Sequence, residues 1–418
     1  MLVADMHLHS SHSRATARDI SLQRLADTAK AKGIDVLGTG DFTHPLWLKE
    51  LKQGLSEHAD GIYDYDGTKF ILQVEVSLIY SQDKKTRRIH NIIYAPDFET
   101  VGQINAWLRT KGRLDYDGRP IFGFSCPELV ENLMNISKDI VIIPAHVWTP
   151  WYSLFGSMSG FDSVEECFGD QAKHIFALET GLSSDPAMNW RLSQLDDFAL
   201  VSFSDAHSPG KLGRECIALD LQKPTYDSLF DAIRKKDREK FLFTIEVPPH
   251  FGKYHYDGHR NCNVSMHPKE ALANKNLCPR CLKQLTIGVE HRVEQLADRE
   301  EGFVPAGAVP FKKIIPLDEL IAAAMKTEAY SRKVRDIYDS LIRQHGPEMK
   351  VLLETTHDEL ARINEGIADA IMRNRAGEIN VVAGYDGVYG KPVIDEGEVR
   401  SVSFQRTQKG LGEFLKNN

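Results

Sequence analysis

No stretch of this chain approaches the roughly 20 consecutive apolar residues that a bilayer crossing requires. Its first residues have neither the basic start nor the apolar run of a secretory leader, so the sequence predicts a cytoplasmic protein. Cysteine is scarce, six in 418 residues, and a chain of this length with so few is not a disulfide scaffold. Positive charge is not in surplus. Lys and Arg number 51 against 59 Asp and Glu, a formal net charge of −8, which argues against a polyanion binder held by bulk charge. A local basic groove, or bound divalent cations that bring their own charge, fits that balance. At 42% apolar and 26% charged the composition is ordinary for a globular chain long enough for two or three domains.

Histidine is what the chain has in quantity, 16 residues. Three stand in "DMHLHSSHS" at positions 5–13, directly after apolar Met1–Ala4. Strand side chains alternate, so His7 and His9 point to one side. Further strands are expected at Ile34–Thr39, Lys69–Val76, Asn91–Tyr94, Ile140–Pro144, Ile175–Leu178, Ala199–Ser202 and Cys216–Leu219. Between the first two, "ISLQRLADTAKAKG" has helical apolar spacing and ends in glycine. Strand–helix alternation over about 245 residues predicts an α/β fold with a parallel (β/α) barrel, whose chemistry gathers where strands end. At those ends stand His7 and His9, then Asp41 and His44, Glu75, His146, Glu179, and Asp205 with His207; His90 lies where a strand begins. Imidazoles and carboxylates at so many strand ends predict a cluster of metal ions, with Glu75 placed to bridge. Mixed ligands of this kind suit Zn²⁺, Mn²⁺ or Fe²⁺ better than Mg²⁺.

A second unit, residues 248–300, has a different texture. His259-x-x-Cys262 and Cys278-x-x-Cys281 form two knuckles with the spacing of a closed structural zinc site. His255 is an alternative to His259, and His267 a weaker one. Cys126, Cys167 and Cys216 stand alone and are expected in the core. Residues 301–400 are predicted mostly helical, and Gly384-Tyr-Asp-Gly-Val-Tyr-Gly390 is a turn-rich loop whose Tyr385 and Tyr389 could stack on bases. In the tail, 401–418, Gln408, Leu411, Phe414 and Leu415 form a one-turn apolar plug. It looks like the short box that docks clients onto sliding clamps.

Together, DMHLHS, Glu75, His90, His146 and SDAH resemble the PHP (polymerase and histidinol phosphatase) family of distorted β/α barrels that hydrolyse phosphoesters with two or three metal ions. "GTGDFTHPLW", "ETGLSSDP", the "YHYDGHRNC…CPRC" run and "GYDGVYGK" extend the likeness over nearly the whole chain to the endonuclease Q family, DNA-repair nucleases that cut 5′ to hypoxanthine, uracil, xanthine and abasic sites. The resemblance implies a distorted PHP-type barrel, a small zinc-binding domain and a helical DNA-binding C-terminal domain. It implies one ion on His7, His9, Glu75 and Asp205 and a second on Glu75, His90 and His146, with Asp205 a key catalytic ligand. It further implies damaged DNA as substrate, a nucleoid-associated location and, through the tail, a sliding clamp as partner in an archaeal protein. The family's third ion uses an acid where this chain has Arg14 and a His where it has Asp41. Asp41 or His44, with His207, is expected to compensate, and Arg14 reads either as a clamp on the scissile phosphate or as a surface ion pair. Trp148, Trp151 and Tyr152, beside His146, are candidates for stacking on an extruded base. The alternative function is a small-molecule phosphatase of the histidinol phosphate type, which leaves the zinc unit and the tail without a task.

Overall fold

The computed structural model describes residues 1–394; Gln408, Leu411, Phe414 and Leu415 of the tail lie outside them. The first strand, β1 (Leu2–Asp5), is buried from Val3 onward and pairs in parallel with β2 (Val36–Gly38). The helix between them, Leu22–Lys32, begins at Ser21, whose side chain accepts from Arg24 N–H, and stops at Gly33, which takes φ 79°. That left-handed turn costs glycine nothing. Leu22, Leu25, Ala26 and Ala29 give the helix one buried face.

Strand β3 (Thr68–Gln82) adds in parallel to β2, then reverses into β4 (Lys85–Ala95). The reversal uses Asp83 and Lys84 at φ 52° and 61°, the left-handed pair that lets a two-residue turn follow strand twist. Both strands are much longer than the sequence predicted. Asp83, Lys84 and Lys85 concealed the turn because they lack the Asn-Gly signature. Glu75 and His90 therefore sit in mid-strand rather than at strand edges. Strand β5 (Val141–Pro144) runs antiparallel on β4, and β6 (Ala177–Glu179) and β7 (Ala199–Val201) form a parallel pair. Strands β8 (Cys216–Leu219) and β9 (Phe241–Glu246) continue the sheet antiparallel on the other side of β1. A bond from His9 N–H to Ala206 O at 3.0 Å ties the end of β1 to the segment after β7. This is a mixed, distorted α/β barrel.

The later units are not detached from it. The strand Phe311–Lys313 pairs with β9, and Ile315, Leu320, Ile367 and Ile371 share one core with Val3, Cys216 and Ile245 of the barrel. Val289 and Val293, on the helix Val289–Leu296 of the second unit, pack into the main barrel core. The loop 384–390 belongs to a hairpin (Asn380–Val382 with Lys391–Val393) that returns to the second unit, where Gly384 O accepts from Tyr256 N–H at 3.0 Å.

Candidate metal centre

The centre begins with the extended segment that continues β1, whose alternation carries His7 and His9, both fully buried, toward the same cavity. Ser77 pairs with His90 across the β3–β4 hairpin. Glu75, two residues before Ser77 on the same face, therefore lies diagonal to His90, within reach of a long side chain. His146 follows β5, and Asp205 follows β7. His146 and Asp205 occupy the left-handed region, at φ 30° and 45°. Non-glycine residues there carry a strain of about 1–3 kcal/mol each, a cost that clusters at functional sites.

Glu75 is the hub. Its Oε1 lies 2.8 Å from His90 Nδ1 and 3.1 Å from His146 Nε2; its Oε2 lies 3.4 Å from His9 Nε2. His7 Nε2 is 3.8 Å from Glu75 and 3.7 Å from Asp205, and His9 Nε2 is 3.1 Å from Asp205. Three groups have donor atoms within 4.8 Å of one another: His7, His9 and Glu75; Glu75, His90 and His146; and His9, Asp205 and His207. Among the described residues, His7 Nε2, His9 Nε2 and Asp205 Oδ1 have no aligned hydrogen bond. Buried polar atoms are rarely left so. Their convergence fits divalent cations.

The other imidazole faces explain the orientation. Glu179 lies 2.9 Å from His7 Nδ1 and also accepts the backbone N–H of His146 at 2.7 Å. Asp41 lies 3.1 Å from His9 Nδ1, and Ser153 Oγ lies 3.1 Å from His146 Nδ1. Each contact turns an Nε2 toward the centre, as second partners of metal-binding histidines do. Burial opposes charge on His7, but Glu179, Asp205 and Glu75 outweigh it and hold the imidazole at about 9. Burial likewise favours neutral Glu75, yet His90, Arg119 and His146 hold it well below the usual carboxylate range. Asp205 is held down against burial by His9, His207 and His7. The carboxylates thus stay anionic in a dry cavity and call for positive charge.

Several expectations need correction. Asp41 is spent on holding His9 and on Ser10 and Ser13, whose donors reach its Oδ2 at 2.6–2.9 Å; it stands behind His9, outside the three groups. His44 heads the helix Pro45–Gly54, with its ring stacked 4.2 Å from His12, outside the three groups. Arg14 is 71% exposed with Nε 3.3 Å from Asp117. The arginine at the centre is Arg119, whose Nη1 donates to Glu75 Oε2 at 3.0 Å. Sequence reading missed it because "DGRP" is a turn with no strand-end context. Glu179, noted as a strand-end carboxylate, proves to be an orienter. Trp148 is fully buried against Phe155 and donates to Asn189, so it is core and not a stacking platform.

Trp151 and Tyr152 are half-buried near the centre. The Tyr152 ring lies 4.7 Å from that of His90, with Arg88 at 5.7 Å, and Trp151 meets Tyr254 of the second unit edge-on at 5.6 Å. Tyr385 is tied down by its hydroxyl on Asn263, whereas Tyr389 is 64% exposed, 5.8 Å from Lys253. In the second unit, His259, Cys262, Cys278 and Cys281 bring their ligand atoms within 4.8 Å of one another. His255 is outside that group, its ring tilted against that of His250 with centroids 4.2 Å apart, and His267 caps the helix Pro268–Ala273 through Lys269 N–H. Cys126, Cys167 and Cys216 are buried free thiols.

Residues 316–378 match the family described as MJ0043 C-terminal domain. The chain is 29% identical to the uncharacterized Bacillus subtilis (strain 168) protein YqxK, over 93% of this chain and 98% of that protein. It is 32% identical to MJ0043 of Methanocaldococcus jannaschii over 64% of this chain, a region that spans 34% of MJ0043. Among solved structures it is similar to the novel lesion-specific endonuclease PfuEndoQ from Pyrococcus furiosus, with 30% identity and a TM-score of 0.85 over 96% of both chains. It is equally similar to endonuclease Q in complex with a 27-mer duplex carrying an abasic lesion at the active site: 31% identity and a TM-score of 0.85, over 95% of this chain and 97% of that one. Near-complete coverage at this identity, around a centre of converging imidazoles and carboxylates, means that the chain belongs to the endonuclease Q family.

Proposed function

We propose that the centre hydrolyses the DNA phosphodiester on the 5′ side of deaminated bases (hypoxanthine, uracil, xanthine) and of abasic sites, leaving a 3′-hydroxyl and a 5′-phosphate. One observation carries this reading: among the described residues, His7 Nε2, His9 Nε2 and Asp205 Oδ1 are buried without aligned partners around the shared carboxylate of Glu75. His7, His9, Glu75 and Asp205 would hold one divalent ion, and Glu75, His90 and His146 a second. His9, Asp205 and His207 remain for a third. Held by these residues, such ions would supply water activation and neutralisation of charge on the phosphate. The chain's own part is to set the ligands: Glu179, Asp41 and Ser153 fix three rings. The donor set favours Zn²⁺, Mn²⁺ or Fe²⁺ over Mg²⁺.

His259, Cys262, Cys278 and Cys281 would hold one structural zinc. Trp151, Tyr152 and Tyr389, with Lys253 and Arg88 beside them, supply aromatic and cationic groups for an extruded nucleotide. The box at Gln408, Leu411, Phe414 and Leu415 would dock a sliding clamp.

Duplex oligonucleotides with one hypoxanthine, uracil, xanthine or abasic site each, incubated with Mn²⁺, Mg²⁺ or Zn²⁺ and resolved at single-nucleotide precision, test the reading. Cutting 5′ to the lesion is expected, and it should vanish in Asp205→Ala while lesion binding survives. Wild-type-like cleavage by that variant would remove this centre as the active site.

A further inference from the structure

Arg119 has a rigid mounting and unspent donors. Its backbone N–H donates to Asp117 Oδ1 at 3.1 Å, the oxygen that also accepts Arg14 N–H at 3.3 Å. Gly118 N–H donates to His12 O at 2.9 Å, so the turn carrying Arg119 is stitched to the segment after His9. Gly118 packs so closely that a Cβ there would lie 2.2 Å from Asp41 Oδ2. The turn is thus locked to the carboxylate that orients His9.

From this mounting the guanidinium reaches Glu75 Oε2 at 3.0 Å. Among the described residues this is its one hydrogen bond, so the other donors of the planar fork have no protein partner. The centre is unevenly exposed. The side chains of His7, His9 and Glu75 are wholly buried, while Asp205, His207 and Arg119 are 26%, 30% and 22% exposed. These three form the rim by which a substrate can approach.

An ion pair alone explains Arg119 poorly. A guanidinium on the shared carboxylate repels any divalent cation arriving there, so for metal binding by itself it is a cost. An anion at the rim reverses the sign. Arg also suits it better than Lys, because the fork matches two phosphate oxygens.

We propose that Arg119 is a catalytic residue that grips the non-bridging oxygens of the scissile phosphate as it enters over the rim formed with Asp205 and His207. The proposal rests on the endonuclease reading. It gives Arg119 the task that the sequence offered to Arg14, whose exposed side chain is turned to Asp117.

Single-turnover cleavage of an abasic duplex, metal content by mass spectrometry, and duplex affinity by fluorescence anisotropy test it together. Arg119→Ala should lose roughly 10²–10³-fold in cleavage rate with its metal content unchanged, and Arg119→Lys should recover only part of the loss. On an Asp205→Ala background, chosen because it is expected not to cut, a duplex with a phosphate at the cleavage position should bind about tenfold tighter than one with a neutral methylphosphonate there. Adding Arg119→Ala should erase that preference. Cleavage by Arg119→Ala within about threefold of wild type, or a preference that survives its removal, overturns the proposal. So does a fall in metal content with activity restored by excess Mn²⁺, which would make Arg119 a positioning residue. A wild-type protein that leaves every lesion duplex intact would instead end the endonuclease reading itself, and this proposal with it.

Discussion

At the scale of single residues, the centre depends as much on groups that touch no ion as on those that would. Glu179 and Asp41 decide which nitrogen of His7 and of His9 faces inward. A second buried pair of acids shows what happens without such partners. Glu246 accepts Thr244 and Thr180 hydroxyls and Glu215 accepts Ser202, yet among the described residues neither acid is held in an ion pair. Burial pushes Glu246 up to about 8 from the usual 4.5, with neighbouring Asp185 adding to the effect. Burial, then the charge of Glu246, raises Glu215 well above its usual value. A carboxyl with a raised folded pKa binds more protons in the native state than in the unfolded one. Its stabilisation is whole below about 4.5 and is lost as pH rises toward 8. Thermal stability should therefore decline over that interval, and Glu246→Gln should flatten the decline and raise Tm at pH 8.5, read by calorimetry. An unchanged slope in that variant would show the pair to be ionised in the native protein.

At the scale of elements, the β3–β4 hairpin is the feature that sequence patterning described least well. Its alternation is interrupted by Gln82–Lys85, so the apolar runs at Lys69–Val76 and Asn91–Tyr94 looked like two separate strands. Their pairing register is what brings Glu75 and His90 together, and the turn residue Lys84 at φ 61° helps set that register. Proline holds φ near −65°, so Lys84→Pro should destabilise the protein by more than about 1 kcal/mol, seen as a lower urea midpoint. An unaffected midpoint would mean that the hairpin tip opens independently of the rest. The Cys/His unit was far more legible, because two knuckles carry their own spacing. Choosing His259 over His255 took the structure: both are histidines three to seven residues from Cys262, and only the chain's path shows which one faces the thiols.

At the scale of the whole molecule, the units that texture separates at 247 and 300 pack against one another among the described residues. The C-terminal helices share a core with β1, β8 and β9. Lys32 on the first barrel helix makes a buried ion pair with Glu348 at 2.7 Å. Loop 384–390 closes back on the Cys/His unit. A chain tied together in this way holds barrel mouth, Cys/His unit and C-terminal hairpin in one frame. The proposed clamp box would add a partner at this scale. Removing Gln408 to Asn418 should abolish stimulation of cutting by a sliding clamp, measured as the ratio of rates with and without it; stimulation that persists would discard the box.

The sequence by itself determined the strand–helix alternation, the residues that gather at one end of a barrel, and the Cys/His knuckles. Each is a local pattern with a fixed period or spacing. Tertiary structure decided which of the gathered groups face inward and which stand behind them. Asp41 and Glu179 lie at strand ends just as His7 and His9 do, but hydrogen-bond partners distant in the chain make them orienters. Arg119 and Arg14 share one carboxylate, and only the path of the turn carries Arg119 to Glu75 and turns Arg14 outward. Periodicity encodes the face on which a side chain lies, whereas the atom it meets there depends on contacts between segments a hundred residues apart.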